Sequence, residues 1–220
     1  MSDRTTVVYA TDGEQPHERR MRLSRRTLEA HSAASVFCYR GDCPHPGMLK
    51  TDALQTAAPR LDRVLWLDAD TWVTGDVEEL PLGGADLAAR PGTLWEYERI
   101  DGGKWRALFE HFGLEAEAPF YCAGVLLLGG AAMSVCDSWA AWRQVLEMTE
   151  GQWPHPIPER WRKGPRHFYD QMALSLLIVD QRLEVLEWDR AEHSYGWHSE
   201  PEGVVHHLGS RWTPPPEHLR

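Results

Sequence analysis

Two aspartates separated by one residue are the strongest candidates for chemistry in this sequence. Asp68 and Asp70 follow the apolar run Arg63 to Leu67, which reads as a strand buried on both faces. Side chains i and i+2 of an extended chain project to one side, roughly 6.5 Å apart, and two carboxylates there repel unless a proton or cation lies between them. Hard divalent cations bind such carboxylates together with substrate phosphates. The segment predicts a cation site for a phosphate-containing ligand, while capping of the following turn is the alternative.

The same residues also fit a second chemistry. An apolar strand followed by Asp-x-Asp-Thr is similar to the first motif of haloacid dehalogenase-type phosphatases. In that interpretation Asp68 is the phosphorylated nucleophile and Asp70 the general acid and base. That motif normally opens its domain, whereas two strand and helix units precede it here.

The elements that position these residues alternate between short β-rich runs and longer helical runs. This alternation is typical of a mainly parallel central sheet flanked by helices, so we predict a single α/β domain. The predicted strands cover residues 6–10, 35–39, 63–67, 85–89, 120–128, 183–186 and 204–205, and the predicted helices begin near residues 18, 48, 97, 131 and 169. Residues 151–166 contain four prolines and two tryptophans, which predicts an irregular loop that faces substrate.

Composition narrows the class of protein further. A chain of 220 residues fits one domain with a substantial core, and its net charge of −10 argues against a nucleic-acid partner. The N-terminus lacks the features of a signal peptide, and the longest apolar run, residues 123–133, is shorter than the roughly 20 residues of a membrane span. We therefore expect a cytoplasmic protein without a transmembrane segment.

The four cysteines are expected to be reduced thiols in that compartment. They are Cys38, Cys43, Cys122 and Cys136. Cys38 and Cys43 lie close to His45, but no second pair of cysteines or histidines has zinc-ligand spacing, so the sequence does not predict a zinc site.

Five segments, taken in order, carry a resemblance to a known family. They are Met48-Leu49-Lys50, the acidic strand, Tyr121-Cys122-Ala123-Gly124-Val125, Tyr169-Asp170-Gln171, and the stretch from Val204 to Trp212. In this order they resemble family 8 glycosyltransferases, the retaining group of the GT-A fold that includes glycogenin and bacterial lipopolysaccharide glucosyl- and galactosyltransferases. The resemblance implies a GT-A domain over residues 1–212, and three consecutive prolines predict a flexible tail at residues 213–220.

The resemblance also implies a metal centre. Asp68 and Asp70 correspond to the family's Asp-x-Asp ligands, and His206 corresponds to its third protein ligand. Because a neutral imidazole suits Mn²⁺ better than Mg²⁺, Mn²⁺ is the expected cofactor and Mg²⁺ the alternative. Without the resemblance, His206 reads as an ordinary histidine.

Donor binding is implied for a larger set of residues. The uracil and ribose are expected at the end of the first strand, the sugar beside small residues, and the diphosphate beside basic ones. The implied donor-binding residues are Ala10, Thr11, Asp12, Lys50, Asp68, Ala69, Ala123, Gly124, Gly209 and Arg211. Cys122 stands where the family has asparagine, and the segment after the histidine is shorter than in the family. Lys50 read alone is equally a solvated helix lysine.

Catalytic roles are implied for Asp170 and Gln171. Asp170 would hold sugar hydroxyls, and Gln171 would lie on the face of the anomeric carbon opposite the diphosphate. Read alone, Asp170 is equally a helix N-cap. Trp95, Trp153, Trp161 and Trp197 fall in predicted loops and are candidates for acceptor contact, since sugar rings stack on indole faces.

The resulting expectation is a metal-dependent retaining enzyme that moves a hexose from a UDP-sugar to a hydroxyl acceptor. The acceptor, whether a glycan, a lipid-linked molecule or a protein, and the oligomeric state stay undetermined by the sequence. Two alternatives remain open: the phosphatase, and a non-catalytic nucleotide-sugar binding protein, which the altered Cys122 and the shortened terminal segment suggest.

Overall fold

The computed structural model describes residues 4–14, 17–41, 46–57, 61–130, 132–162, 166, 168–195 and 203–208. The strands in these residues are β1 (Thr6–Thr11), β2 (Ser35–Arg40), β3 (Val64–Leu67), β4 (Thr71–Val73), β5 (Leu87–Ala89), β6 (Val125–Leu128), β7 (Val185–Glu187), β8 (His193–Ser194) and β9 (Val205–His207). The helices are α1 (His17–His31), α2 (Pro46–Ala57), α3 (Thr93–Glu96), α4 (Gly102–His111), α5 (Ala132–Met148) and α6 (Tyr169–Asp180). No described helix is both long and apolar enough to cross a membrane.

The central sheet has six strands in the order β2-β1-β3-β6-β5-β7. β1 pairs in parallel with β2 and β3, and β5 pairs in parallel with β7. β6 runs antiparallel to both of its neighbours, β3 and β5. The carboxyl ends of β1, β3 and β5 and the start of β6 therefore meet at one edge of the sheet.

Alternating side chains of the strands build two cores, one on each face of this sheet. Val8 and Trp66 point to the face that α2, α4, α5 and α6 cover. Val7 and Leu65 point to the opposite face, which packs against α1 and against a second, smaller sheet. All four residues of β3 are buried, as expected for a strand covered on both faces. The predicted α/β architecture with helices flanking a mainly parallel sheet is confirmed.

The small sheet has the order β4-β9-β8 and was predicted only in part, at residues 204–205. β9 pairs antiparallel with β4 and parallel with β8. β4 and β8 have only three and two residues, too few for a period-2 pattern to be read from the sequence. Val73 and Val205 face each other across this sheet and belong to the second core, so this sheet is held against the central one.

The loop before α6 is irregular, as predicted for residues 151–166. Its described part holds one short 3₁₀ helix at Glu159–Trp161. Trp161 is 37% exposed, whereas Trp153 is buried and Trp95 packs against Trp105 with ring centroids 6.0 Å apart. Of the four tryptophans singled out for acceptor contact, Trp161 is thus the most accessible described one; Trp197 and the tail at 213–220 lie outside the described residues.

Candidate metal and donor site

The acidic motif forms a tight turn between β3 and β4. The Thr71 backbone N–H donates to the Asp68 carbonyl at 3.1 Å, and the Thr71 hydroxyl donates to the same oxygen at 2.8 Å. Asp68 is fixed from the other side, because its N–H donates to the Gly124 carbonyl at 2.8 Å. Residues 69 and 70 thus form a turn and not the extended chain that the prediction assumed, but each aspartate still offers a carboxylate oxygen within 4.8 Å of the other.

The imidazole beside the two aspartates belongs to His207, not to His206. His207 Nε2 lies 3.3 Å from Asp70 Oδ1 and 4.0 Å from Asp68 Oδ2. His206 is fully buried on the other face of β9, where its ring nitrogens contact Thr74 Oγ1 at 3.1 Å and Ser194 Oγ at 2.5 Å. Successive side chains of a strand point to opposite faces. His206, the predicted third ligand, therefore does not reach the two aspartates, and His207 lies beside them instead.

Asp68, Asp70 and His207, which we call the aspartate–histidine group, fit a divalent cation. One ligand atom from each lies within 4.8 Å of the others. Adjacent ligands of an octahedral ion with bonds of about 2.1 Å are roughly 3 Å apart, so the 3.3 Å between His207 and Asp70 needs almost no adjustment. Two carboxylates and one imidazole suit Mn²⁺, and they leave coordination positions for ligand oxygens.

The charges of this group depend on each other. Burial disfavours the ionised carboxylate of Asp70, but the His207 imidazole outweighs burial and lowers the pKa of Asp70 to about 2. Burial also disfavours the imidazolium, yet Cys122 and Asp70 raise the pKa of His207 well above its ordinary value. The proton on His207 thus takes the place of a cation between acidic neighbours.

A second group, the lysine cluster of Lys50, Asp68 and Asp170, shares Asp68 with the first. Lys50 Nζ donates to the Ala123 carbonyl at 2.7 Å and to Asp170 Oδ2 at 3.0 Å, and it lies 3.2 Å from Asp68 Oδ1. These oxygens occupy all three N–H donors of an ammonium. The lysine side chain is 5% exposed. It is therefore not a solvated helix lysine.

Electrostatics holds the lysine cluster in its ionised form. Burial favours the neutral amine, but the carboxylates of Asp68 and Asp170 outweigh it and raise the pKa of Lys50. In the same way burial opposes ionisation of Asp170, and Lys50 lowers the pKa of Asp170 below its ordinary value. The Trp66 indole N–H also donates to Asp68 Oδ1 at 2.7 Å, which further fixes the carboxylate that both groups share.

Asp170 stands in the first turn of α6, but it is not the N-cap. The residue before the helix is Phe168, in the left-handed region with φ 73°, and it provides no side-chain cap. Asp170 Oδ1 accepts from the Gln171 N–H at 2.9 Å, and the Asp170 carbonyl accepts from the Trp139 indole at 2.7 Å. Gln171 is half-buried next to it. The Gln171 N–H at the start of α6 and Lys50 of the lysine cluster together orient the Asp170 carboxylate.

The segment from Cys122 to Gly124 lies between the two groups. A side chain at Gly124 would place its Cβ 2.9 Å from both ring nitrogens of His207, closer than real contacts of that kind. Glycine is required there because the imidazole occupies that space. Cys122 Sγ lies 3.3 Å from His207 Nδ1, and although burial opposes ionisation, His207 lowers the pKa of Cys122.

The residues predicted to bind the nucleoside lie at the end of β1, at the same edge of the sheet. Thr11 is buried, and its hydroxyl accepts from the Gly13 N–H at 3.0 Å. Asp12 accepts from the Glu14 N–H at 2.9 Å and lies 3.2 Å from His17 Nδ1. Ala10 and Ala69 are half-buried, and Ala123 is fully buried. Gly209 and Arg211 lie outside the described residues.

The fold is shared with solved glycosyltransferases, although no family model matches the chain and no curated protein matches its sequence. A WbbM bifunctional glycosyltransferase superposes with a TM-score of 0.64 at 12% identity, over 96% of this chain and 46% of that one. This chain therefore spans about half the length of that protein.

Two further structures of this fold match over most of both chains. Mouse xyloside xylosyltransferase 1 has a TM-score of 0.56 at 11% identity and covers 96% of this chain and 99% of its own. A glycosyltransferase involved in glycosylation of the major capsid of PBCV-1 has a TM-score of 0.55 at 12% identity, and the match covers 94% of this chain and 93% of that one. These likenesses establish the glycosyltransferase α/β fold. The evidence for the candidate site residues is their geometry in this structure.

Proposed function

We propose that this chain is a metal-dependent, retaining glycosyltransferase related to family 8, which transfers a hexose from a UDP-sugar to a hydroxyl acceptor. One observation carries the proposal. On a glycosyltransferase fold, the aspartate–histidine group and the lysine cluster meet at Asp68, at the edge where the strands β1, β3 and β5 end. Ligands of open α/β sheets bind in the crevice at that edge.

The charges of this edge favour a divalent cation. Asp68, Asp70 and Asp170 bring three carboxylates, and Lys50 brings one ammonium. With a neutral His207, two negative charges remain, and one divalent cation balances them. Asp68, Asp70 and His207 would hold this cation, which would supply Lewis-acid stabilisation of the charge that develops on the departing diphosphate.

Lys50 has a positioning role in this proposal. It was expected to reach the donor sugar or phosphates, but its three donors are directed to protein oxygens. The ammonium therefore holds Asp170 ionised and fixes the Ala123 carbonyl, so both stay aimed at the sugar. Positioning of this kind supplies a large part of the rate in transfer reactions.

Asp170 and Gln171 are proposed to act on the sugar itself. Asp170 accepts hydrogen bonds from sugar hydroxyls, and Gln171 lies beside the anomeric carbon on the face away from the diphosphate. Among the described residues no second carboxylate is placed as a double-displacement nucleophile, so we propose front-face attack, in which the leaving phosphate accepts the proton of the acceptor. The acceptor is a glycan, a lipid-linked molecule or a protein with a free hydroxyl.

The proposal is tested by a donor screen. The wild-type chain is incubated with UDP- and GDP-sugars and Mn²⁺, and liberated nucleotide and the anomeric configuration of the product are measured. We expect Mn²⁺-dependent UDP release with retention, reduced roughly 10²–10³-fold in Asp70→Asn, because an electrostatic contribution of that size is lost. Asp62→Asn is the matched control, because Asp62 is exposed just before β3, at the end opposite to the site.

The same samples separate the two alternatives. A phosphatase predicts phosphate release from small phosphoesters and an aspartyl-phosphate on Asp68. A non-catalytic binding protein predicts Mn²⁺-dependent UDP binding that Asp70→Asn weakens, without turnover of any donor. Either of these outcomes overturns the proposed transfer reaction.

A further inference from the structure

A second set of metal-ligating side chains lies directly behind the aspartate–histidine group. Cys122, His193 and His207 each present one ligand atom, and these atoms all lie within 4.8 Å of one another. We call them the cysteine–histidine group. Cys122 precedes β6, His193 lies in β8 and His207 ends β9, so the two sheets together bring these residues into contact.

The spacing of this group matches a tetrahedral metal site. Zinc bonds of about 2.3 Å to sulfur and about 2.0–2.1 Å to nitrogen place the two ligand atoms roughly 3.5 Å apart at a tetrahedral angle. Cys122 Sγ and His207 Nδ1 are 3.3 Å apart. The His193 ring lies on the same side, with its centroid 6.1 Å from that of His207.

His193 gives an independent sign of a ligand. Its side chain is fully buried, and neither ring nitrogen has a hydrogen-bond partner among the described residues. The backbone around the ring is fixed, since Arg90 donates to the His193 carbonyl at 2.8 Å and the ring packs 4.8 Å from that of Tyr195. Buried polar groups are nearly always satisfied, so an imidazole with two open nitrogens next to a thiol indicates a missing partner.

We propose that Cys122, His193 and His207 form a binding site for a soft divalent cation of the Zn²⁺ type, distinct from the Mn²⁺ site. One thiolate and two imidazoles are a donor set that selects zinc over Mg²⁺ or Mn²⁺, and three protein ligands leave one position open. On binding, Cys122 Sγ and His207 Nδ1 each release their proton, a sulfur–metal bond forms, and both imidazoles donate a lone pair. No electron is transferred.

The shared His207 couples this site to the proposed Mn²⁺ site, and this part rests on the proposed function. Nδ1 of His207 faces Cys122 and Nε2 faces Asp70. A neutral imidazole has one lone pair and one N–H. When Nδ1 binds the soft cation, Nε2 keeps the proton and donates to Asp70, as in a carboxylate–histidine–zinc arrangement. The Mn²⁺ site then lacks its imidazole, so the soft cation is expected to inhibit.

Cobalt substitution tests the site without any nucleotide or sugar. The reduced chain is titrated with Co²⁺, and the near-ultraviolet thiolate-to-cobalt band and the intense visible bands of four-coordinate cobalt are recorded. We expect one Co²⁺ per chain with both features, displaced by one equivalent of Zn²⁺. Absence of the thiolate band in the wild type overturns the proposal.

Variants assign the ligands. Cys122→Ser and His193→Gln are expected to lose the thiolate band or to weaken Zn²⁺ binding at least about tenfold, the lower end of what even an outer partner of a metal site contributes. Cys38→Ser, which removes an exposed thiol, is expected to keep both the band and the Zn²⁺ affinity. A band that survives Cys122→Ser, or that disappears in Cys38→Ser, contradicts the assignment.

A further variant keeps the test decisive if Cys122→Ser does not fold. Replacement of Cys38, Cys43 and Cys136 by serine leaves Cys122 as the only thiol of the chain. This triple variant must retain the cobalt thiolate band, and its loss in the folded triple variant overturns the proposal.

Inhibition tests the coupling. Zn²⁺ is expected to raise the Mn²⁺ concentration for half-maximal UDP release in the wild type by at least about tenfold more than in His193→Gln. Equal inhibition of both proteins shows simple displacement at the aspartate–histidine group and overturns the coupling. If no donor is turned over, the cobalt result still stands by itself, so the failure of the proposed function and the failure of the second site remain distinguishable.

Discussion

The two charged groups that meet at Asp68 neutralise their carboxylates in different ways. In the lysine cluster the cation is part of the chain, 5% exposed and surrounded by three oxygens at 2.7–3.2 Å. In the aspartate–histidine group the positive charge is a proton on His207, whose side chain is 16% exposed and lies 3.3 and 4.0 Å from its partners. The first positive charge is fixed in the chain and the second is a proton that can leave, which is why the proposed function gives the first group a structural role and the second the metal.

Removal of the fixed cation is expected to have the largest effect. Lys50→Met leaves Asp68 and Asp170 without their ammonium, and breaking a buried pair costs about 3–5 kcal/mol, towards the lower end here because the Asp68 side chain is 30% exposed. Urea denaturation measures the free energy of unfolding. Lys104→Met is the control, since that lysine is 52% exposed and only 3.7 Å from Asp101 in a surface pair. Equal stability of the two variants contradicts the role given to Lys50.

The stability contributed by Asp70 and His207 is expected to depend on pH. Asp70 has its pKa lowered from 3.8 to about 2, so its contribution to stability is present above about pH 4 and is lost as pH falls towards 2. His207 has its pKa raised above 6.5, so its contribution is present below that pH and is lost as pH rises through the raised value. Without metal, the free energy of unfolding should therefore have its plateau between about pH 4 and 6.5.

Mn²⁺ binding is expected to follow the opposite trend. Metal and proton compete for His207 Nε2, so affinity rises by up to roughly tenfold per pH unit until the raised pKa of His207 is passed. Calorimetric titrations across this range measure the slope, and His207→Gln removes it. A wild-type affinity that does not change with pH would show that His207 is not exchanged for metal.

A smaller effect is expected when the ring of His207 is pushed aside. Gly124→Ala introduces a Cβ that conflicts with the imidazole, so the ring must move from Asp70 and metal affinity should fall about tenfold, within the range for outer partners of a metal site. Gly130→Ala is the matched control, because an added Cβ there meets no atom within 4 Å. Unchanged Mn²⁺ binding in Gly124→Ala places the imidazole elsewhere.

The smallest predicted effect concerns the shared carboxylate. Trp66→Phe keeps the ring in the core but removes the indole N–H that donates to Asp68 Oδ1 at 2.7 Å. Because the Asp68 side chain is 30% exposed and water can replace the lost donor, loss of this bond is expected to cost only about 1 kcal/mol, which corresponds to roughly fivefold weaker Mn²⁺ binding. Titration of the wild type and Trp66→Phe with Mn²⁺ under identical conditions measures the difference in affinity. A loss of affinity above a hundredfold contradicts a merely supporting role for Trp66.

The long elements could be predicted from the sequence because their patterns are local. β3 is uniformly apolar and α5 carries its apolar stripe at helical spacing, so both were found close to their observed bounds. β4 and β8 were missed since two or three residues form a strand only through pairing with distant chain. The partners of Lys50 lie 73 and 120 residues away and could not be read from its surroundings.

The resemblance implies His206 as the third ligand, and the local sequence pattern could not show that His207 lies beside the aspartates instead. Val204 and Val205 are both apolar, so alternation alone does not indicate which of the two points into the core. The structure buries Val205 completely in the second core, and His207 shares its face of β9, whereas His206 turns to Thr74 and Ser194. The resemblance implied a histidine beside the two aspartates, and tertiary packing places His207 there.

Mn²⁺ binding by these two histidine variants is the most direct test of the central claim. Electron paramagnetic resonance of free Mn²⁺ is followed during titration of wild type, His207→Ala and His206→Ala in the presence of UDP, with circular dichroism to verify folding. We expect one bound ion in the wild type and in His206→Ala, and at least about tenfold weaker binding in His207→Ala. Tight binding in folded His207→Ala, with loss in folded His206→Ala, would contradict it.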